Sequence, residues 1–131
     1  MEIFGIGTDI VNIKRMKKTL KKKNSYFKER IFSKNEIIYC ENKKNSFSYF
    51  AKRFAAKEAF SKALGTGIRK GINFKDIEIF NDNFGKPSIK LKGSTAIFLK
   101  KKIKNKKYSI YLTLSDELSW AHATVIVSFN K

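Results

Sequence analysis

The stretch Phe54–Gly67, FAAKEAFSKALGTG, constrains this chain more than any other. Its alanines, lysines and Leu64 are strong helix formers, and Gly65 supplies a stop. At 3.6 residues per turn, Glu58 and Lys62 lie one above the other on one face. Phe50, Phe54, Phe60, Ala63 and Leu64 take other faces, which suits a helix buried over much of its circumference. A carboxylate and an amine beside such a helix lose solvation, so each is expected to be paired or bound to something. The plain alternative is a Glu58–Lys62 bridge one turn apart, worth about 0.3–0.5 kcal/mol.

A second segment, Gly5-Ile6-Gly7-Thr8-Asp9-Ile10-Val11, follows Ile3 and Phe4. The weak alternation over Glu2–Thr8 predicts a short strand. Gly5, Gly7 and Asp9 then share one face, because strand side chains repeat every second residue. Two glycines leave that face bare beside a carboxylate, where another backbone or a ligand can approach closely. No third glycine follows, so this is not a dinucleotide fingerprint. The alternative is that Asp9 N-caps a helix beginning near Ile10.

Further along, helices are expected at Ile10–Leu20, Phe27–Ile31, Lys34–Asn42 (capped by Ser33 or Asn35), Phe47–Leu64 and Ser94–Ile103, with a break at Asn24–Tyr26. Ile77–Phe80 and Ser88–Leu91 read as a hairpin across Asn81–Pro87, where Asn, Asp, Gly and the only proline cluster. Tyr108–Ser115 and Trp120–Phe129 alternate as two strands joined over Asp116–Ser119. Strands at both ends with helices between them predict an α+β fold: an antiparallel sheet with an N-terminal strand and a closing hairpin, packed with a long central helix. The last strand puts Ala121, Ala123, Val125 and Val127 on one face and Trp120, His122, Thr124 and Ile126 on the other. Neither face is wholly polar, so the sheet is expected to be covered on both sides or used in assembly.

At 131 residues with 42% apolar content, residues 1–131 are expected to form one domain around one core. No apolar run approaches the ~18–20 residues of a membrane span, and no signal-peptide pattern opens the chain. Cys40 alone excludes an internal disulfide, and with a single histidine, His122, it makes no zinc site. A reducing, cytoplasmic location is the expectation. The formal charge of +18 suits nucleic acid, acidic proteins or phosphate-rich ligands. Only four of the 29 basic residues are arginines (Arg15, Arg30, Arg53 and Arg69), fewer than bidentate phosphate recognition favours. Most phenylalanines fall at core-like positions, so no base-stacking face is expected and no nucleic-acid partner.

The two segments closely resemble the holo-acyl-carrier-protein synthase family, the small bacterial-type 4′-phosphopantetheinyl transferases. The family's GIGxDIV strand and RFAAKEAFxKALGTG helix stand here as Gly5–Val11 and Arg53–Gly67. Phe27–Phe32, Asp76–Ile79, Asn81–Pro87 and the Tyr111–Ser115 and Ala121–Val127 hairpin match in the same order. The resemblance implies a Mg²⁺-dependent enzyme of fatty acid biosynthesis. It moves the 4′-phosphopantetheine arm of coenzyme A onto a serine of apo acyl carrier protein and releases adenosine 3′,5′-bisphosphate.

By that resemblance Asp9 and Glu58 hold the metal, and Glu58, directly or through a metal-bound water, takes the serine proton. Lys62 aims at a phosphate oxygen. Arg53 and Lys57 hold coenzyme A phosphates, while Gly65, Thr66 and Gly67 line the nucleotide pocket, with simple C-capping as the alternative. Pro87 lies beside the adenine, and Ser115 matches a serine or threonine of the closing strand. Asp116 stands where many members have His, and an acid beside phosphates is repelled unless it reaches the metal or a water. Lys14, Arg15 and Lys18 face the acidic carrier protein. The family's homotrimers, with sites between subunits, imply the same assembly here.

Overall fold

The computed structural model describes residues 1–23 and 26–131. The chain runs β1 (Glu2–Asn12), α1 (Ile13–Lys21), α2 (Phe27–Ile31), α3 (Lys34–Glu41) and α4 (Ser46–Leu64). It continues through a 3-10 turn (Phe74–Asp76), β2 (Ile77–Asn81), β3 (Pro87–Leu91), α5 (Gly93–Lys102), β4 (Tyr108–Glu117) and β5 (Trp120–Phe129). β1, β5 and β4 form an antiparallel sheet in that order, and β2 with β3 forms a separate antiparallel hairpin. The expected α+β fold is therefore present. The break read at Asn24–Tyr26 lies outside the described residues except for Tyr26.

α4 crosses the inner face of the three-stranded sheet. A Cβ built on Gly5 would overlap the carbonyl of Ala63, and one on Gly7 the carbonyl of Ala59. The bare face of β1 thus receives the helix backbone itself, which only glycine permits at this separation. Of the two approaches left open by the sequence, backbone is the one observed. Ala55, Ala59 and Ala63 pack with Ala123, Val125 and Val127 of β5 in the main core. A second cluster, around Met16, Phe32, Phe50 and Ala121, fills the space under α1, α2 and α3.

Two boundaries near the N-terminus differ from expectation. β1 continues to Asn12 because its pairing with β5 runs on to Trp120. α1 then starts at Ile13, its N-cap supplied by Asn12, whose side chain accepts from the Arg15 amide at 2.9 Å. Asp9 is therefore interior to a strand and caps nothing. The helical spacing of Ile10 and Ile13 misled the reading, since Ile10 lies in the strand with an exposed side chain.

Ser33 caps α3 in a capping box with Glu36. Glu36 is buried and does more than cap. Its Oε1 accepts from Lys57 Nζ at 2.9 Å and its Oε2 from the Ile79 amide at 3.0 Å. Lys57, equally buried, also donates to the carbonyls of Phe74 and Ile77. The pair ties α3 and α4 to the 3-10 turn and β2, and its cost in solvation is offset by this complete set of hydrogen bonds. Burial holds the Lys57 ammonium below the ordinary lysine range, with Glu36 opposing. Cys40 is fully buried, and burial pushes its thiol up to about 12, which removes it as a nucleophile.

Lys57→Met is expected to lower unfolding stability by about 3–5 kcal/mol, because Glu36 is left as a buried charge without its cation. Denaturant unfolding of the two proteins measures this, and a loss below about 1 kcal/mol would contradict the buried pair.

Candidate functional site

Residues four apart on α4 form stripes with distinct environments. Ala55, Ala59 and Ala63 face the core with β1 and β5, and Ala56, Phe60 and Leu64 are buried as well. Arg53 and Lys57 point into the protein on another side. The stripe Phe54, Glu58, Lys62 alone has no fully buried member. Its middle residue meets β1 where the glycines end.

There Asp9 and Glu58 open on one cleft of about 380 Å³, walled also by Arg15, Met16, Phe54 and Trp120. Burial pushes the Glu58 carboxyl above the ordinary glutamate range, the Asp9 charge adds to the shift, and Lys62 opposes it. Lys62 reaches across to β1, donating to Asp9 Oδ1 at 2.9 Å and to the Thr8 carbonyl at 3.0 Å. Among the described residues its ion pair is with Asp9, so the alternative of a Glu58–Lys62 bridge gives way to one between elements. The two acids supply hard oxygen donors of the kind Mg²⁺ takes, with room for waters or phosphate oxygens. Among the described residues no group of three or more His, Cys, Asp or Glu residues suited to a metal exists, so a softer, all-protein metal cage does not fit.

A second cleft, of about 360 Å³, opens on another side of α4. Arg53 lies in its wall, 2% exposed, stacked 4.2 Å from the centre of the Tyr39 ring. One guanidinium nitrogen, Nη2, donates to Asn81 Oδ1 at 2.6 Å, while the buried Nε lacks a partner. Pro87, Gly85, Lys43 and Lys52 line the same space. Arg53 and Pro87, both expected around coenzyme A, are thus brought together. Lys43 and Lys52 join them without any sequence signal, because neither falls in a motif.

Other expected site residues go elsewhere. Lys57 does not reach either cleft, since all three of its N–H groups are used in the interior. Gly65 ends α4 in the left-handed conformation at φ +82°, and Gly67 adopts φ +71°. The amides of Gly65, Thr66 and Gly67 donate to the carbonyls of Lys62 and Ser61, so capping occupies them. Ser115 lies on the outer sheet face opposite His122. Asp116 accepts from the Ser48 hydroxyl at 2.8 Å and from Lys52 Nζ at 3.3 Å. Lys14, Arg15 and Lys18 are exposed on α1, and the neighbouring Lys17 and Lys21 lie 5.5 and 5.6 Å from the Phe47 ring.

The outer face of the sheet was only half anticipated. It exposes Ile6 (64%), Ile10 (59%), Tyr111 (51%) and Trp120 (48%). Thr8 Oγ1 and His122 Nε2 lie 2.7 Å apart on it. The mixed faces of β5 were the one signal in the sequence.

A family model described as the 4′-phosphopantetheinyl transferase superfamily matches residues 5–123. The holo-[acyl-carrier-protein] synthase of Pelagibacter ubique is 46% identical over 127 residues, covering 97% of this chain and 98% of that one. The enzyme of the same name from Blochmanniella pennsylvanica is 49% identical over 125 residues, covering 95% and 98%. The crystal structure of holo-[acyl-carrier-protein] synthase from Neisseria meningitidis superposes with a TM-score of 0.85 at 38% identity, over 96% of this chain and 98% of that one. The Helicobacter pylori structure in complex with coenzyme A gives a TM-score of 0.78 at 36% identity, over 94% and 99%.

The raised Glu58 carboxyl binds its proton more tightly in the folded chain than in the unfolded one. Its contribution therefore favours folding at low pH and is lost as pH rises through the folded-state value. In metal-free buffer Glu58→Gln should be more stable than wild type at about pH 8, the gap closing below the ordinary glutamate value of ~4.3. Thermal melts across that range test it, and a variant less stable than wild type at the upper end would overturn it.

Proposed function

This chain belongs to the 4′-phosphopantetheinyl transferase superfamily, and we propose that it moves the 4′-phosphopantetheine arm of coenzyme A onto a serine of apo acyl carrier protein. The observation that carries this reading is the convergence of Asp9 and Glu58 on one cleft from two distant parts of the chain, with Lys62 bound to Asp9. In the transfer, the serine oxygen bonds to the phosphorus bearing the pantetheine arm. The phosphoanhydride bond breaks, and its electron pair leaves on adenosine 3′,5′-bisphosphate.

The residues present fit a hard divalent cation, and Asp9 with Glu58 would hold Mg²⁺. Once bound, the ion offsets the charge that develops on the phosphate oxygens. Glu58 is the group to take the serine proton: its raised carboxyl is a better base than an exposed glutamate. Lys62 holds the Asp9 carboxylate in place, and its ammonium retains a donor for a phosphate oxygen. The second cleft takes the nucleotide end: Arg53, with its unused buried N–H, binds phosphate, and Pro87 lies along the purine. Gly65, Thr66, Gly67 and Ser115 have no assigned ligand contact in this reading.

Lys14, Arg15 and Lys18 on α1, beside the Asp9–Glu58 cleft, steer an acidic carrier protein and raise its on-rate. The net charge serves this encounter rather than nucleic acid. We assign the product to fatty acid biosynthesis in the cytoplasm, with residues 1–131 acting as one transferase domain. Among the described residues no helix is long and apolar enough to cross a membrane.

A homotrimer completes the proposal. Ile6, Ile10, Tyr111 and Trp120 leave an apolar sheet face open, and Ile10 and Trp120 also line the Asp9–Glu58 cleft. A second copy on that face would enclose the cleft, which one short chain leaves open to solvent.

Incubation with apo carrier protein, coenzyme A and Mg²⁺, followed by mass measurement of the carrier protein, tests the activity. Asp9→Asn and Glu58→Gln should each lower kcat by orders of magnitude, and the double variant should lose far less than the product of the two. Near-wild-type turnover of either single variant at saturating Mg²⁺ would sink the mechanism. Paired Ile6→Lys and Tyr111→Lys changes should give a monomer by light scattering with much reduced turnover. A fully active monomer would refute the assembly.

A further inference from the structure

Asp116 is an acid just outside the Arg53 cleft, in a neighbouring recess that it shares with Lys14, Lys17, Phe47 and Ser48. It stands near the end of β4, opposite Ala121 of β5. Its two oxygens accept from Ser48 and Lys52, which lie one turn apart on α4, so the carboxylate grips that helix at successive steps. The Ser48 hydrogen bond and then the Lys52 charge hold the Asp116 carboxyl below its ordinary value, against a smaller-than-decisive effect of burial.

Lys52 is correspondingly constrained. Its side chain is only 16% exposed, and its ammonium lies 4.1 Å from the centre of the Tyr49 ring. Carboxylate and ring together have already removed part of the rotamer freedom that a free lysine side chain carries. The ammonium is thereby left in the wall of the 360 Å³ cleft beside Arg53 and Lys43. Lys43 is held in the same manner, 4.8 Å from the Tyr39 ring and 5.5 Å from the Tyr49 ring. These three ordered cations leave the cleft positive, with no carboxylate among its lining residues. Lys14 and Lys17 of α1 line the neighbouring recess with Asp116.

We infer that Asp116 is a positioning residue, holding Lys52 so that its ammonium binds a phosphate of the nucleotide end of coenzyme A in the Arg53 cleft. The inference rests on the reading of that cleft as the nucleotide site. Fixing the lysine before the ligand arrives removes part of the ordering cost of binding, so an acid close to phosphates raises affinity rather than lowering it. An acid acting only by repulsion predicts the opposite sign.

Calorimetry with adenosine 3′,5′-bisphosphate, and kinetics with coenzyme A varied, separate the two. Binding of the bisphosphate to the wild-type chain is measured first, because its absence overturns the cleft reading itself. Asp116→Asn keeps the size of the side chain and an acceptor for Ser48 but loses the charge. Kd for the bisphosphate and KM for coenzyme A should rise about tenfold, the order of one charge-assisted hydrogen bond. Lys52→Gln should do the same, and Asp116→Asn in that background should add little. Lys52→Arg should recover part of the loss. Unchanged or tighter binding by Asp116→Asn, or losses that simply add, would overturn the inference while leaving the cleft reading in place. A fall in melting temperature with unchanged KM would equally overturn it, as the mark of a structural contact. If Asp116→Asn fails to fold, the Lys52→Gln and Lys52→Arg pair decides alone: no change in KM overturns the inference.

Discussion

The carbonyls of Ala59 and Ala63 lie where side chains on Gly7 and Gly5 would have to be. This contact sets the separation of α4 from β1, and the placement of Asp9 against Glu58 follows from it. With the helix seated so deeply, residues four apart fall into stripes of different fate. The alanine stripe packs on the sheet, the Arg53–Lys57 stripe enters the protein, and Phe54 and Glu58 reach the cleft while Lys62 binds Asp9. Any side chain on the strand glycines would lift the helix and move the acids apart, so the bare strand face is a condition of the site as much as of the core.

Lys57 and Glu58 are neighbours in sequence with opposite surroundings. Lys57 meets Glu36, Phe74 and Ile77 and is satisfied where it lies. Glu58 has desolvation and the Asp9 charge working against its ionised form, relieved in part by Lys62. One helix turn therefore holds a buried charge whose partners are all supplied by the protein and another that gains from a cation brought to it. The contrast is one of hydrogen-bond completeness, since both residues sit on the same helix.

Positive charge is organised by aromatic rings and few acids. Tyr39 and Tyr49 carry Lys43, Lys52 and Arg53, and Phe47 carries Lys17 and Lys21. Rings hold cations without cancelling them, which keeps the surrounding surface attractive to phosphate and to acidic protein. Asp116 is the exception, and its pairing with Ser48 and Lys52 explains how an acid is tolerated where the residues around it are basic.

The helix Phe47–Leu64, the closing hairpin and the convergence of Gly5, Gly7 and Asp9 on one face were legible in the amino-acid order. Each depends on spacing along one element, which propensity and periodicity report. The reading erred where a local pattern competed with distant pairing. Ile10 fitted a helix until β5 extended β1 to Asn12. Lys57 and Lys62 looked alike, four and nine residues on from Arg53, yet Glu36 draws one inward and Asp9 draws the other across to the strand. Lys43 and Lys52 carried no signal, since their cleft is assembled from α3, the turn after it, α4, the β2–β3 hairpin and β4. The sequence by itself determined which residues share a stripe, because that is set by backbone geometry within one element. Only the tertiary structure decided which stripe meets solvent, which charge is neutralised and which acids face one another, because burial and Coulomb interactions depend on what distant segments bring alongside.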